Sequence, residues 1–201
     1  MIFFFFLRNM LYFSLIFIWI GLIIFSFFRN YSIIKEHSRQ VVLNKAGSLF
    51  EEIVTTRSWN SRYGGVYVFV SDTVRPNPYL SDDENRDIWT TDSMMLTKIN
   101  PAYMTRQISE IAAKNNEVTF HITSLNPIRP KNRPDAWESK ALFHFEKGKP
   151  HISEFIESDT LTYYRYMAPL FVRKSCLKCH AKQGYKIGQV RGGISVTFPV
   201  T

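Results

Sequence analysis

Cysteine is scarce in this chain of 201 residues: there are two. So small a number excludes a disulfide-stapled scaffold and any zinc site of the four-cysteine kind. There is no glycine-rich phosphate loop and no nucleophile elbow, which removes the commonest signatures of nucleotide binding and serine hydrolysis. No block of five or more like charges occurs, and no internal repeat. Disorder is excluded by composition, with 45% hydrophobic and 21% charged residues.

The charge that is present is basic, 25 Lys and Arg against 17 Asp and Glu, for a net of +8. Nucleic-acid binding would need a basic patch or a known module. Neither is visible, so no nucleic-acid partner is expected and the charges read as a mixed solvated surface.

Aromatic residues are unevenly spread. Nine of the 17 Phe fall within residues 1–28, and residues 10–28 contain no charged side chain. Nineteen helical residues at ~1.5 Å each span ~28 Å, close to the hydrocarbon thickness of a bilayer. A cleaved signal peptide would have a shorter apolar region and a small-x-small site, whereas this run ends in Phe25, Ser26, Phe27, Phe28 and Arg29. Residues 1–29 therefore read as an uncleaved transmembrane signal anchor, and residues 30–201 as one further domain. Arg8 on one flank and Arg29, Lys35 and Arg39 on the other leave the orientation open.

Beyond the anchor, residues 31–58 read as a helix continuing out of the membrane, with Ile34, Val41, Val42, Leu49 and Ile53 as its apolar face. It serves either as a packing helix or as a rod coupling the domain to the membrane. Strands are expected at 66–70, weakly at 88–91, and at 94–99, 118–124, 151–157, 161–172 and 194–200. Asn100-Pro101 starts a helix to about residue 115, with Met104, Ile108 and Ile111 on one face. Asp135 with Glu138 resembles a capping box starting a helix to about residue 147. Consecutive late strands with short turns give an α+β layout, an antiparallel sheet carrying helices.

Both cysteines lie in Cys176-Leu177-Lys178-Cys179-His180, the C-x-x-C-H attachment signature for c-type haem. Two thiols three positions apart can reach two porphyrin vinyl groups, and His180 then becomes the proximal iron ligand. Three rivals remain. A thioredoxin-type redox pair lacks its βαβ context and gives no reason for His180. A zinc site would need two more ligands from His121, His144 or His151. A structural disulfide across two residues would be strained. With haem, the compartment follows: covalent attachment takes place outside the bacterial cytoplasmic membrane, so the domain is expected in the periplasm or extracytoplasmic space.

Taken together, Arg57-Ser58-Trp59-Asn60 to Val70, residues 99–107 (Ile-Asn-Pro-Ala-Tyr-Met-Thr-Arg-Gln), residues 122–127, residues 133–138, the C-x-x-C-H segment and residues 191–196 resemble a known family. It is the PAS-like c-type haem sensor domains of bacterial membrane-bound signalling proteins. The resemblance covers about residues 35–200. It implies a PAS-like antiparallel sheet with flanking helices, one covalent haem c, and no enzymatic turnover. Family members commonly precede a second span and a cytoplasmic output module. Neither is found here, so output is expected through a missing module or a partner such as a histidine kinase or chemoreceptor, with a homodimer also admitted.

For the sixth iron ligand the candidates are Met94, Met95, Met104, Met167, His121, His144 and His151. Met104 leads, because it sits one turn into a helix and the resemblance places a thiolate ligand at the matching position in some members. His121 is the alternative. Arg129, Arg106 and Arg62, in or beside the matching segments, are candidates for the haem propionates, and Tyr166 for packing on the ring edge. The expected function is a membrane-anchored haem sensor of redox state or a diatomic gas. An electron-transfer c-type cytochrome with a redox partner is one alternative, and a thiol oxidoreductase using the cysteine pair is another.

Overall fold

The computed structural model describes residues 2–200, apart from the side chains of residues 2–8, Leu11, Asn116, Lys178 and Cys179. It divides into two compact units, Met1–Val42 and Leu43–Thr201.

The first helix, α1, spans Ile2–Arg62. No proline interrupts it, and Gly64 at φ +78° follows its end, a conformation that costs glycine little. Within the first unit the described apolar side chains find no core. Phe17, Trp19 and Phe25 are 71%, 65% and 65% exposed. The helix is long and apolar enough to cross a membrane, and such exposure is what a lipid-facing surface requires.

In the second unit α1 is amphipathic. Ala46, Phe50, Ile53 and Asn60 are buried. With Arg57 they form a stripe at alternating spacings of four and three, one face of a helix. The expected face was different: Ile34 and Val41 are exposed, and Ile53 alone of the five is buried to the core level.

The remaining elements are β1 (Val66–Phe69), β2 (Asp87–Trp89), β3 (Met95–Ile99), α2 (Pro101–Asn116), β4 (Thr119–Thr123), α3 (Ala136–Glu146), β5 (Ile152–Glu157), β6 (Thr162–Phe171), α4 (Leu177–His180) and β7 (Val190–Val200). They build two antiparallel sheets, a small one in the order β1-β3-β2 and a larger one in the order β4-β7-β6-β5. The α+β layout read from the sequence is the one observed.

The larger sheet separates two layers. Side chains alternate across a strand, so neighbours on β6 point to opposite faces. Tyr166 meets Phe50 of α1, ring centroids 6.1 Å apart. Met167, fully buried, packs with Ala141, Leu142 and Phe145 of α3. Both cap predictions hold: Asn100 accepts from the Tyr103 N–H at 2.9 Å, and Asp135 with Glu138 makes a reciprocal capping box. On α2 the expected face is corrected. Ile111 is 61% exposed and Met104 and Ile108 are half-buried, while Tyr103 and Thr105, on the first turn, are the buried residues of the helix among those described.

The last strand starts four residues before the expected position, at Val190 rather than Ile194. Gly192 and Gly193 concealed it, since glycine weakens a strand signal. They are there for close approach. A Cβ on Gly192 would lie 2.2 Å from the Thr123 carbonyl oxygen of β4, and one on Gly193 2.5 Å from Met167 Cε of β6.

Candidate functional site

Between β6 and β7 the chain leaves the sheet and returns. The base is closed where the Val172 N–H donates to the Gln189 carbonyl and the Gly188 N–H to the Val172 carbonyl, each at 2.9 Å. Inside this excursion lie a 3-10 turn at Lys174–Cys176, then α4, then a second 3-10 turn at Ala181–Gln183. The whole C-x-x-C-H pentapeptide sits on it.

Cys176 is half-buried and outside any disulfide, and its sulfur accepts from the Arg173 N–H at 3.4 Å. The Cys179 side chain lies outside the described residues. His180 is half-buried, with Nδ1 2.7 Å from Gln183 Oε1. A carboxamide oxygen only accepts, so the neutral ring carries its proton on Nδ1 and its lone pair on Nε2. No described residue hydrogen-bonds Nε2. Burial holds the imidazole pKa below its ordinary value; Arg191 and Arg57 push the same way, against the Gln183 bond.

Those two arginines are the residues that sequence reasoning missed. Arg57 donates through Nη1 to the Pro101 carbonyl at 2.9 Å and to Thr105 Oγ1 at 3.0 Å. The residue is half-buried, but its guanidinium is enclosed, and burial lowers its pKa to about 10 while Cys176 opposes the shift. Arg191, also lowered by burial, donates from Nη2 to Gln183 Oε1 at 3.1 Å and from Nη1 to Ser124 Oγ. Its guanidinium lies 4.8 Å from the centre of the Tyr185 ring, and its Nε is buried without a hydrogen bond. Among the described residues no carboxylate pairs with either guanidinium. Arg57 could have been found: it is a charge on the buried stripe of α1, a position where an apolar residue is expected.

The other predicted residues fall in several places. Met104 is half-buried on the first turn of α2, next to Thr105, which holds Arg57. Arg106 covers the Tyr103 ring at 4.2 Å. Arg129 donates to Asn132 Oδ1 at 3.2 Å, and Arg62 is exposed at the end of α1. Among the described residues no ion pair joins these three to the pentapeptide. Tyr166 stacks on His151 at 5.3 Å and meets Phe50, a packing role on the α1 face of the sheet. His121 is engaged at both nitrogens, Nδ1 with Glu138 Oε1 at 2.9 Å and Nε2 with the Lys131 carbonyl at 3.2 Å. Both partners are acceptors, and the Glu138 bond raises the imidazole pKa against its own burial; while both nitrogens keep these partners, neither offers a lone pair to a metal.

Fold and site together define an α+β domain that presents a C-x-x-C-H turn, its histidine oriented, beside two arginines without acidic partners among the described residues. The chain belongs to the Tll0287-like family, whose model matches residues 35–199. It is also similar to a solved structure, the cyanobacterial haem protein Tll0287, at 19% identity and a TM-score of 0.48, over 79% of this chain and 95% of that one. No curated protein matches the sequence.

Proposed function

We propose that this chain is a membrane-anchored c-type haem sensor, its domain extracytoplasmic, held in the membrane by a single N-terminal span. The observation that carries the reading is the state of His180. Its Nδ1–H is taken by Gln183 and its Nε2 lone pair is left free, the arrangement of a metal-ligating imidazole.

The surrounding donors fit the group. Haem brings two propionates, and the two guanidiniums that act on His180, Arg57 and Arg191, have no carboxylate partner among the described residues. The buried, unpartnered Arg191 Nε supplies a donor for one of them. Cys176 and Cys179 would hold the macrocycle through thioethers, and His180 would be the proximal ligand. Bound there, haem would supply an iron that changes redox state or takes up a diatomic gas. Met104 would occupy the sixth position, from the turn of α2 that Arg57 clasps. Covalent attachment of this kind fixes the compartment as outside the cytoplasmic membrane. The activity is binding and signalling to a partner rather than turnover.

The test is the full-length chain coexpressed with a haem-attachment system and run on a denaturing gel stained for haem. A stained band near 23.6 kDa is expected, absent when Cys176 and Cys179 are both changed to Ser. An unstained wild-type chain overturns the reading. Spectra under carbon monoxide and nitric oxide then separate a sensor, which binds the gas and changes assembly state, from an electron carrier, which exchanges with a redox partner and binds neither.

A further inference from the structure

We propose that Gln183 is a positioning residue for His180: it fixes the ring tautomer and orientation, and it ties the imidazole to Arg191. The proposal rests on the haem reading above and adds to it the residue that sets the ligand strength of the histidine.

The geometry leaves the Gln183 amide one orientation. Its Oε1 receives two hydrogen bonds, from His180 Nδ1 at 2.7 Å and from Arg191 Nη2 at 3.1 Å. Its Nε2 donates to the Asn126 carbonyl at 3.1 Å. Turning the amide over would set NH2 against the guanidinium donors and oxygen against a carbonyl oxygen, and both contacts would become repulsive. The amide is therefore locked, and it locks the histidine in turn.

Local structure explains why this glutamine reaches that histidine. His180 and Gln183 stand three apart on consecutive helical turns, the spacing that places two side chains on one face. The distant anchors come from the end of β4. Asn126 takes the amide NH2, and Ser124, almost fully buried, holds Arg191. Ser124 Oγ also donates to the Arg191 carbonyl at 2.8 Å and accepts from the Asn126 N–H at 3.2 Å. A polar chain thus runs from the sheet edge through Arg191 and Gln183 to the ring.

The chemical consequence has a sign. An acceptor at Nδ1–H makes the imidazole a stronger donor at Nε2 and favours the more positive, oxidised iron. In Gln183 that acceptor is neutral and shared with a cation, so its pull is moderate. Gln183→Glu places a carboxylate there and lowers the midpoint potential; Gln183→Leu removes the acceptor and raises it. Each change is expected to alter the reduction equilibrium by about tenfold, which is ~59 mV for one electron. Haem content, read from the stained gel, stays near that of the wild type.

The measurements are redox titrations of the two variants beside the full-length wild type. Opposite shifts support the proposal. No shift, or shifts of the same sign, overturn it, because a purely structural glutamine would not distinguish an acceptor from a hydrocarbon by sign. Should Gln183→Leu fail to accumulate, proton resonance on the oxidised wild type decides. A His180 Nδ1–H signal that exchanges slowly with deuterated water supports the lock, and one that exchanges within the dead time overturns it. Absence of haem from the wild type would sink the haem reading itself, an outcome distinct from haem-loaded variants that behave alike.

Discussion

Glu138 has no exposed surface, yet its surroundings keep it ionised. Burial would raise its pKa; hydrogen bonds from His121 and Ser195, the His121 charge and the Asp135 N–H outweigh burial and hold it below its ordinary value. His121 moves the other way, raised by its bond to Glu138 against its own burial. Arg165, 3.1 Å from Glu138 Oε1, adds a second cation. The pH dependence of stability follows from the two directions. The His121 contribution is complete below its ordinary value, near 6.5, and is lost as pH rises through the raised one. The Glu138 contribution is complete above its ordinary value, 4.5, and is lost as pH falls through the lowered one. Stability against urea should therefore peak between these values and fall on both sides. Glu138→Gln should flatten the profile and cost about 3 kcal/mol, since it strands buried donors. A profile that still peaks in that window in Glu138→Gln would assign the pH dependence to other groups. At the same scale, Met104→Ala should change the reduced-state absorption spectrum and shift the midpoint potential downward, because a thioether raises the potential of haem iron. An unchanged spectrum and potential would remove Met104 as ligand.

Two elements show what a sequence can and cannot reveal. Strand β7 was legible from Ile194 onward because Ile, Val and Phe announce a strand; the preceding glycines say nothing by propensity, and their reason lies in β4 and β6. The close approaches predict a difference. At Gly192 an added Cβ meets backbone, the Thr123 carbonyl at 2.2 Å, whereas at Gly193 its nearest neighbour is the flexible end of Met167, at 2.5 Å. Gly192→Ala should cost more than Gly193→Ala, on the order of 3 against 1 kcal/mol by urea denaturation. Equal costs would mean that the β4 contact yields as readily as a methionine methyl. In α1 the helix itself was legible, but its buried face was obscured by apolar residues such as Ile34 and Val41, which are exposed. The informative signal was a polar one, Arg57 and Asn60 continuing the spacing of Ala46, Phe50 and Ile53. They fasten the helix end to the end of β3 and the start of α2: Asn60 donates to the Ile99 carbonyl at 3.0 Å, and Arg57 to the Pro101 carbonyl and Thr105 Oγ1. Arg57→Met should lower stability by about 2 kcal/mol, the worth of a lost charged hydrogen bond. A destabilisation below half that would mean that water replaces the guanidinium. Gln183 and Arg191 carried no such signal; a lone glutamine and a lone arginine become a site only when β4 and the excursion after β6 are brought together.

At the scale of the molecule, the excess of basic charge pointed nowhere, while the distribution of phenylalanine and the placing of two cysteines carried the organisation. The two compact units part between Val42 and Leu43, and the family match begins at residue 35. A cut before residue 35 therefore removes the apolar run and spares every buried residue of α1, from Ala46 to Asn60. What remains keeps its own core on both faces of the larger sheet. Full-length chain should sediment with membranes. A chain starting at residue 35, exported behind a cleavable signal peptide, should stay in the supernatant with the same far-ultraviolet dichroism per residue once the lost helix is allowed for. The transfer of exposed Phe, Ile, Leu and Trp side chains out of lipid, at ~1.5–3 kcal/mol each, leaves no balance in favour of the membrane after the run is gone. Sedimentation of the shortened chain with membranes, in folded form, would show a second membrane-binding surface in the domain itself, and exposed Trp59, Tyr63 and Trp89 would be the first side chains to replace.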